Sequence, residues 1–585
     1  MSAYSSVSLT PALNLVRAAA RTPAVGGCLR LGAAYLARRG ISSAIKEDLS
    51  SFTRGRFITD EKSNLEKRRI QFNLDALRSA AAAATGSREC VDIMKFPEGN
   101  FNKAFLLKMD DGKEVVAKLP NPNAGIPRLT TASEVASMDF FKRVTKTPVP
   151  QVLDYRTNSE NPVGSEYIIM EKVRGVVLSS VWRGLPLETK KKIISKLLKY
   201  HQAWSDITFE EYGSLYFPED LGIKPEGLPG VSYTQDGHSI RNTRYVVGPA
   251  VGREWTSEGK YDLALDRGPF RTFLDYKKAA LEREKNAIIT LDGAYPKQTG
   301  MICGPPPFYL PTSDKKLKAL QEYEELLNHR DVLFPEDTSD LFKGHIWHND
   351  MHTENIFIDP EDPTTITGIV DWQSSQIAPL IDHCLDPHLL GYGGLDVGQS
   401  PVSLPLPENM NTWNSGERAS FEDRALMNSW RSGVKKNIIK QHRALAFKET
   451  TTGRIFHLAR HLLGPSEAHL AVWLKFLRDD WHDANGDKDK EFPVHFSPLR
   501  LQEIRSDLRR AGFSIDITSD LRRRMKMRLG EDLWPDSGII QSDRFDEVRE
   551  ALDTLKKEIM DEHFPLDSDA STAKDRETFE REWPF

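Results

Sequence analysis

His348-Asn349-Asp350-Met351-His352-Thr353-Glu354-Asn355, followed by an apolar stretch and then Gly368-Ile369-Val370-Asp371-Trp372-Gln373, decides how this chain is read. It places an aspartate, an asparagine five residues later, and a second aspartate beyond one strand-sized gap. Such a set can position an attacking hydroxyl through Asp350, with His348 bracing the loop. It can also offer one neutral oxygen (Asn355) and one anionic oxygen (Asp371) to Mg²⁺, a hard cation that prefers oxygen ligands.

If that is its use, the rest of a nucleotide site must lie upstream. Transfer of a phosphoryl group from ATP needs positioning and charge neutralisation more than covalent help from the protein. The parts are a turn over the phosphates, a lysine on them, an acid to hold that lysine, and a hinge for the adenine. Each has a candidate, and they occur in order. Glu98-Gly99-Asn100-Phe101-Asn102 lies between two expected strands: Gly99 would let backbone approach phosphate, Asn102 could donate to it, and Asn100 lies between them as a further nucleotide-binding candidate. The turn is neither a G-x-G-x-x-G nor a P-loop. Lys118 sits in Val115-Val116-Ala117-Lys118-Leu119, and a lysine in an apolar strand must find a partner. Glu134, on the next helix, is the expected one. Tyr167 to Val173 reads as a buried strand running into Gly175, with Met170, Glu171 and Val173 as the adenine hinge. Any one of these residues alone would be ordinary; the ordered set Lys118, Glu134, Asp350, Asn355, Asp371 points to a kinase-type nucleotide site using ATP and Mg²⁺ as cofactors.

The surrounding pattern gives the fold. Val91–Phe96, Ala104–Met109 and Val115–Leu119 read as strands, the last two joined by Asp110-Asp111-Gly112, a strong hairpin signal. Thr131–Val144 reads as a helix, and 151–155 and 167–171 complete a sheet of about five strands. Residues 60–84 suggest one helix ended by Gly86, and Leu187–Trp204 an amphipathic one. The expectation is an α+β, bilobal, protein-kinase-like fold. It has a small N-lobe with an antiparallel sheet and a helix, and a larger, mainly helical C-lobe carrying an insertion. Its divisions are a leader (1–41), an N-terminal extension with a helix (42–90), the N-lobe (91–172) and the C-lobe (173–585). Within the C-lobe fall an insertion at about 205–341, the catalytic and metal segment 345–372, and C-terminal helices in 400–585. The insertion reads as a decoration of the second lobe, with helices at 273–288 and 315–327.

Composition narrows the class. The chain has 585 residues, 39% hydrophobic and 28% charged, and no uncharged apolar run near the ~18–20 residues that span a bilayer. Peripheral membrane contact and protein partners stay open. The first 45 residues carry Arg17, Arg21, Arg30, Arg38 and Arg39 and no acid before Glu47. That is the composition of a mitochondrial transit peptide, which the inner-membrane potential draws inward; a cut near Ile41 would deliver the protein to the matrix. Losing those five arginines from 79 basic residues leaves 74 against 84 acidic ones, a net charge of -10. Nothing in that balance drives binding to nucleic acid. Cys28, Cys90, Cys303 and Cys384 are scattered, with no metal-ligand spacing, and read as small buried hydrophobes.

His348–Asp359 resembles the H-G-D-x-H-x-x-N loop of the aminoglycoside phosphotransferase/choline-kinase-like superfamily, and Gly368–Gln373 its I-D-W-E/Q metal strand. Trp372, where ordinary protein kinases have Phe-Gly, and the lack of an A-P-E segment separate the chain from those enzymes. More closely it resembles the fungal altered inheritance of mitochondria protein 9 group, at Phe52–Phe57, Glu98–Leu107, Thr130–Phe140, Glu166–Gly175, Tyr212–Tyr216 and Leu265–Phe270. The resemblance implies a kinase-like fold and a mitochondrial location, and names no substrate. One departure is Asn349, where the family has a small or rigid residue. Three readings follow: a phosphotransferase acting on a hydroxyl of a small molecule or lipid precursor, a nucleotide-binding scaffold in mitochondrial maintenance, and an atypical protein kinase.

Overall fold

A computed structural model describes residues 48–224, 230–291, 301–329, 340–391, 413–481, 491–566 and 570–585. The leader therefore lies outside the described residues, as does Cys28.

The N-lobe sheet is built from β1 (Cys90–Lys95), β2 (Asn102–Met109), β3 (Glu114–Pro120), β4 (Val152–Arg156) and β5 (Tyr167–Glu171), in the order β1-β2-β3-β5-β4, all antiparallel. Strand alternation assigns each residue to a face. Phe105, Leu107, Val115, Ala117, Leu119 and Ile169 face outward and are covered by Leu74, Leu77 and Ala81 of α1 (Leu74–Thr85). Lys118 has the opposite parity. It turns inward, where α2 (Leu129–Arg143) covers it at 8% exposure, so both sides of β3 are buried. α2 lacks a side-chain cap of its own. The Glu166 carboxylate supplies one, accepting from the Arg128 amide (2.8 Å) and the Thr131 hydroxyl (2.5 Å).

The single helix expected over 60–84 is two. A short helix, Glu61–Glu66, ends before an irregular link, and α1 starts afresh at Asn73, whose side chain accepts from the Ala76 amide at 3.1 Å. Gly86 closes it with φ 67°. Apolar spacing alone missed the break because Leu65, Ile70, Leu74 and Leu77 keep a helix-like period through it.

From β5 the chain enters the C-lobe at Gly175. A Cβ there would lie 2.1 Å from the Ile358 carbonyl oxygen, and φ is 94°, so only glycine fits. β6 (Val176–Val177) then joins a three-stranded sheet with the two strands of the catalytic segment, Ile356–Ile358 and Ile366–Ile369. α3 (Leu187–Ser205) packs its Ile193, Ile194, Leu197 and Trp204 into the large core.

The insertion is not a decoration. Ile207–Phe209 enters a five-stranded sheet between Val231–Gln235 and Gly344–Trp347, and Gly344–Trp347 pairs with Gln376–Pro379. The strand that precedes the His348–Asn355 loop is thus laid against a strand from the insertion, and Ile377 meets Gly213 of the insertion in an isolated bridge. Two helices of the insertion, Phe273–Leu291 and Ser313–Leu327, lie close to expectation. The C-terminal region is mostly helical, with a long helix Pro498–Leu529 and another at Phe545–His563. It reaches back to the N-terminal extension: Arg56–Phe57 pairs with Ile539–Ile540, and a Cβ on Gly55 would meet the Ile540 carbonyl oxygen at 2.4 Å.

Candidate active site

Lys118 Nζ lies 2.6 Å from Glu134 Oε1 and 2.6 Å from Asp371 Oδ1. Three segments meet at this one ammonium. Burial works against its charge, but Asp371 and then Glu134 outweigh burial and hold its pKa above the ordinary lysine value. Asp371 is held below the ordinary carboxylate range because Lys118 outweighs burial, whereas burial dominates at Glu134 and raises it. Asp371 has φ 61°, a left-handed conformation uncommon outside glycine. It follows the Ile366–Ile369 strand rather than lying within it, as the sequence had suggested. The residue beside it explains the tryptophan. Trp372 is fully buried, donates Nε1–H to the Ile369 carbonyl at 2.9 Å, and stacks 4.2 Å from Phe141 of α2. α2 therefore carries both the acid that holds Lys118 and the ring that seats the metal strand.

His348 braces the loop that carries Asp350. His348 Nε2 donates to the Val370 carbonyl at 3.0 Å, and Nδ1 accepts from the Asp350 amide at 3.2 Å. Burial lowers its pKa, which suits the neutral ring this pattern needs. Asn349 has a task of its own: its Oδ1 accepts from the Cys384 amide at 3.0 Å and touches His383 Nδ1 at 3.2 Å. Asn355 donates to the Asp350 carbonyl at 3.0 Å, and its own carbonyl accepts from the Val370 amide at 2.9 Å, which fixes it beside Asp371.

The Asp350 side chain is 54% exposed, as a group at the mouth of a cleft should be. His388 Nδ1 approaches Oδ1 at 3.3 Å and His352 Nε2 approaches Oδ2 at 3.6 Å. Burial raises its pKa, but bonds to His352 and His388 outweigh it and hold the carboxyl well below the usual range. His388 is raised to about 11, first by Cys384, whose Sγ lies 3.4 Å from its Nε2, and also by Asp350. His388 was not among the residues picked from sequence; it sits seventeen residues past Asp371, in no motif. Cys384 also departs from expectation. Of the three described cysteines Cys90 is buried, while Cys303 and Cys384 are partly exposed.

The turn over the cleft is anchored at its base. Glu98 is 6% exposed and accepts from the Thr53 amide at 2.5 Å, and it pairs with Lys103 and, at 3.3 Å, with Lys95. A Cβ on Gly99 would meet nothing within 4 Å, so no contact inside the chain requires glycine there. The Asn100 carbonyl accepts from Asn121 and Asn123 at 3.4 Å each. Asn102 donates its side-chain amide to Gln373 Oε1 at 2.7 Å, so the turn is tied directly to the metal strand. At the hinge, Met170 is buried at 7% exposure. Glu171 and Val173 are more open, but the Glu171 amide is already given to the Gln151 carbonyl at 2.9 Å. Adenine pairing at Glu171 would therefore have to use its carbonyl.

The insertion adds a residue that no motif flagged. Arg253 lies 3.6 Å over the Phe101 ring and donates to Gln373 Oε1 at 3.2 Å.

Among the described residues no cluster of three or more His, Cys, Asp or Glu could hold a metal ion. The donor set still fits Mg²⁺, which is commonly bound by one or two protein oxygens together with substrate phosphates. Asn355 and Asp371 would hold it, and Asp371 is the ionised member of that pair.

Residues 309–381 match the phosphotransferase enzyme family. A subtelomeric hrmA-associated cluster protein of Aspergillus fumigatus is 34% identical over 324 residues, covering 50% of this chain and 58% of that relative. The chain thus matches little more than half of that relative's length. The altered inheritance of mitochondria protein 9 of Yarrowia lipolytica, named as mitochondrial, is 22% identical over 485 residues, 78% of this chain and 80% of that one. A solved aminoglycoside phosphotransferase in ternary complex with AMP-PNP and hygromycin B aligns at 14% identity and a TM-score of 0.33, covering 74% of this chain and 98% of that chain. No helix among the described residues is long and apolar enough to cross a membrane. The names of the relatives bear out the mitochondrial location expected from the leader. The resemblance read from the residues holds: the catalytic segment matches the phosphotransferase enzyme family, and the chain is similar over most of its length to the altered inheritance of mitochondria protein 9 group.

Proposed function

We propose that this protein is a mitochondrial, matrix-located phosphotransferase that moves the γ-phosphoryl group of ATP to a hydroxyl of a small molecule or lipid precursor. The observation that carries the reading is the junction at Lys118, whose ammonium spans Glu134 and Asp371 while Asp350 stands open at the cleft mouth. In this reading Lys118 holds the phosphates and Glu134 fixes Lys118. Asp350 orients the acceptor hydroxyl and takes its proton as the bond to phosphorus forms. A pKa held well below the usual range makes Asp350 a weak base, which suits late proton transfer. Asn355 and Asp371 would carry Mg²⁺, which supplies neutralising charge to the phosphates when bound. Gly99, Asn100 and Asn102 would line the phosphates, and Met170, Glu171 and Val173 the adenine.

The test is ATP turnover with a mitochondrial metabolite extract, wild type against Asp350→Ala. Conversion that depends on Asp350 supports the reading; equal turnover under every acceptor overturns it.

A non-catalytic nucleotide-binding role is favoured by one feature, the tie from Asn102 to Gln373 that fastens the turn to the metal strand. It predicts ATP-dependent thermal stabilisation without transfer, and full rescue of a null strain by Asp350→Ala.

A further inference from the structure

Arg253 is placed by its neighbours. It opens a one-turn helix, Arg253–Thr256, whose other members are buried. Glu254 is held by Arg460, by Tyr276 Oη at 2.8 Å and by Gln376 Nε2 at 2.9 Å. Trp255 is fully buried beneath Arg283. Gly252 just before it packs on Gln376 so closely that a Cβ would lie 2.1 Å from Oε1. The backbone at 253 is therefore fixed on both sides, and its side chain alone leaves this buried set for the cleft.

There the guanidinium carbon lies 3.6 Å from the ring centroid of Phe101, in the turn read as covering the phosphates. Its polar partners are neutral: Gln373 Oε1 at 3.2 Å and the Ala124 carbonyl at 3.5 Å. Several buried cations of this lobe meet carboxylates directly, Lys277 with Asp382, Arg460 with Glu254 and Asp382, and Arg500 with Glu322. Among the described residues Arg253 forms no ion pair. It nevertheless feels Asp371, Asp350 and Glu134, in that order, against the burial that lowers its pKa. A part-buried guanidinium with only neutral acceptors is left without a counterion. Such a group, two residues' reach from the metal strand and beneath the phosphate turn, is matched to an anion with several oxygens.

We propose that Arg253, delivered by the insertion, binds the terminal phosphates of the nucleotide and neutralises the phosphoryl group in flight. The assignment rests on the nucleotide reading above. In the step it serves, the acceptor oxygen bonds to the γ-phosphorus as the bond to the β-phosphate oxygen breaks. ADP leaves with that electron pair, and the hydroxyl proton passes to Asp350. Arg253 offers its N–H groups to the equatorial oxygens, where charge is spread in the transition state.

The experiment is equilibrium binding of the β,γ-imido analogue of ATP and of adenosine to the full-length protein, for wild type, Arg253→Ala and Arg253→Lys, with thermal unfolding as a check on folding. Arg253→Ala is expected to weaken the ATP analogue at least tenfold while adenosine binding stays within about twofold. Arg253→Lys should fall between, since it keeps charge and loses the planar fork. An unchanged ratio of analogue to adenosine affinity in both folded variants overturns this assignment alone. No nucleotide affinity in the wild type overturns the phosphotransferase reading together with it. If Arg253→Ala does not fold, Arg253→Lys decides: a ratio equal to wild type overturns the proposal, and a lower one supports it.

Discussion

Lys118 Nζ and Asp371 Oδ1 are 2.6 Å apart although 253 residues separate them in the chain. The contact joins the N-lobe sheet to the metal strand of the C-lobe, with Glu134 closing the other side of the ammonium. Removing Lys118 leaves the buried Glu134 carboxylate, and the part-exposed Asp371 beside it, without their cation, and breaking a buried pair such as Lys118–Glu134 costs about 3–5 kcal/mol. Lys118→Met should lower stability by that order in chemical denaturation and abolish ATP-dependent thermal stabilisation. A variant that unfolds like wild type and still responds to ATP would show that the contact carries neither load.

Asp350 differs because it is half exposed. Asp350→Ala should fold normally, with an unfolding midpoint near that of wild type, and lose phosphoryl transfer by about 10²–10⁴-fold, the range for a positioned acid or base. Steady-state turnover of the two proteins checks this.

His388 should control the acid limb of the rate. Its charge helps hold Asp350 below the usual range, so the carboxylate stays ionised well into acid. His388→Gln removes that cation while burial remains, so the Asp350 pKa must rise. The acid limb of the pH–rate profile should move to higher pH, with little change at neutral pH. The His388 pKa is raised above its unfolded value of 6.5. Its stabilising contribution is therefore whole below pH 6.5 and is lost as pH climbs toward 11.

Stability should also fall in mild acid, through other histidines. His201 and His345 are lowered to about 3 and His383 and His469 to about 4, by burial in each case. They stay neutral in the fold, while the unfolded chain takes up their protons below its value of 6.5. Unfolding thus binds protons between about pH 6.5 and 4, and each histidine weakens the fold by up to ~1.4 kcal/mol per pH unit there. Urea midpoints measured across that window should drop steadily; a flat profile would show that these rings are protonated in the folded protein.

The passage between the lobes depends on one glycine. Gly175→Ala would push a Cβ to 2.1 Å from the Ile358 carbonyl at φ 94°. Backbone strain of this kind costs roughly 1–3 kcal/mol before any repacking. A lower thermal midpoint, with loss of nucleotide response, is the expected result.

Much of this molecule was legible in its sequence because the informative patterns are local. The five N-lobe strands follow from alternation and from the Asp-Gly turn between β2 and β3. The C-terminal end of α1 follows from Gly86, and the span of α3 from apolar spacing. The spacing from His348 to Asp371 was enough to suggest a metal-nucleotide site, because a short loop and one hairpin hold those residues together whatever the rest of the chain does. That local order also named Lys118 and Glu134 as partners, one on a strand and one on the next helix.

What the sequence could not determine depends on elements far apart in the chain. No local pattern shows that α2 and the Asp371 segment close over the inner face of the sheet, and it is their cover that makes Lys118 a buried cation rather than a solvent-facing one. No motif marks His388 or Arg253, since each is placed by packing: His388 by a turn whose Leu389 amide bonds to the Met351 carbonyl at 2.9 Å, and Arg253 by the buried neighbours of its helical turn. Periodicity reports which side of an element is apolar; only the tertiary structure decides which distant element covers that side, and so which charges are left to face one another across the cleft.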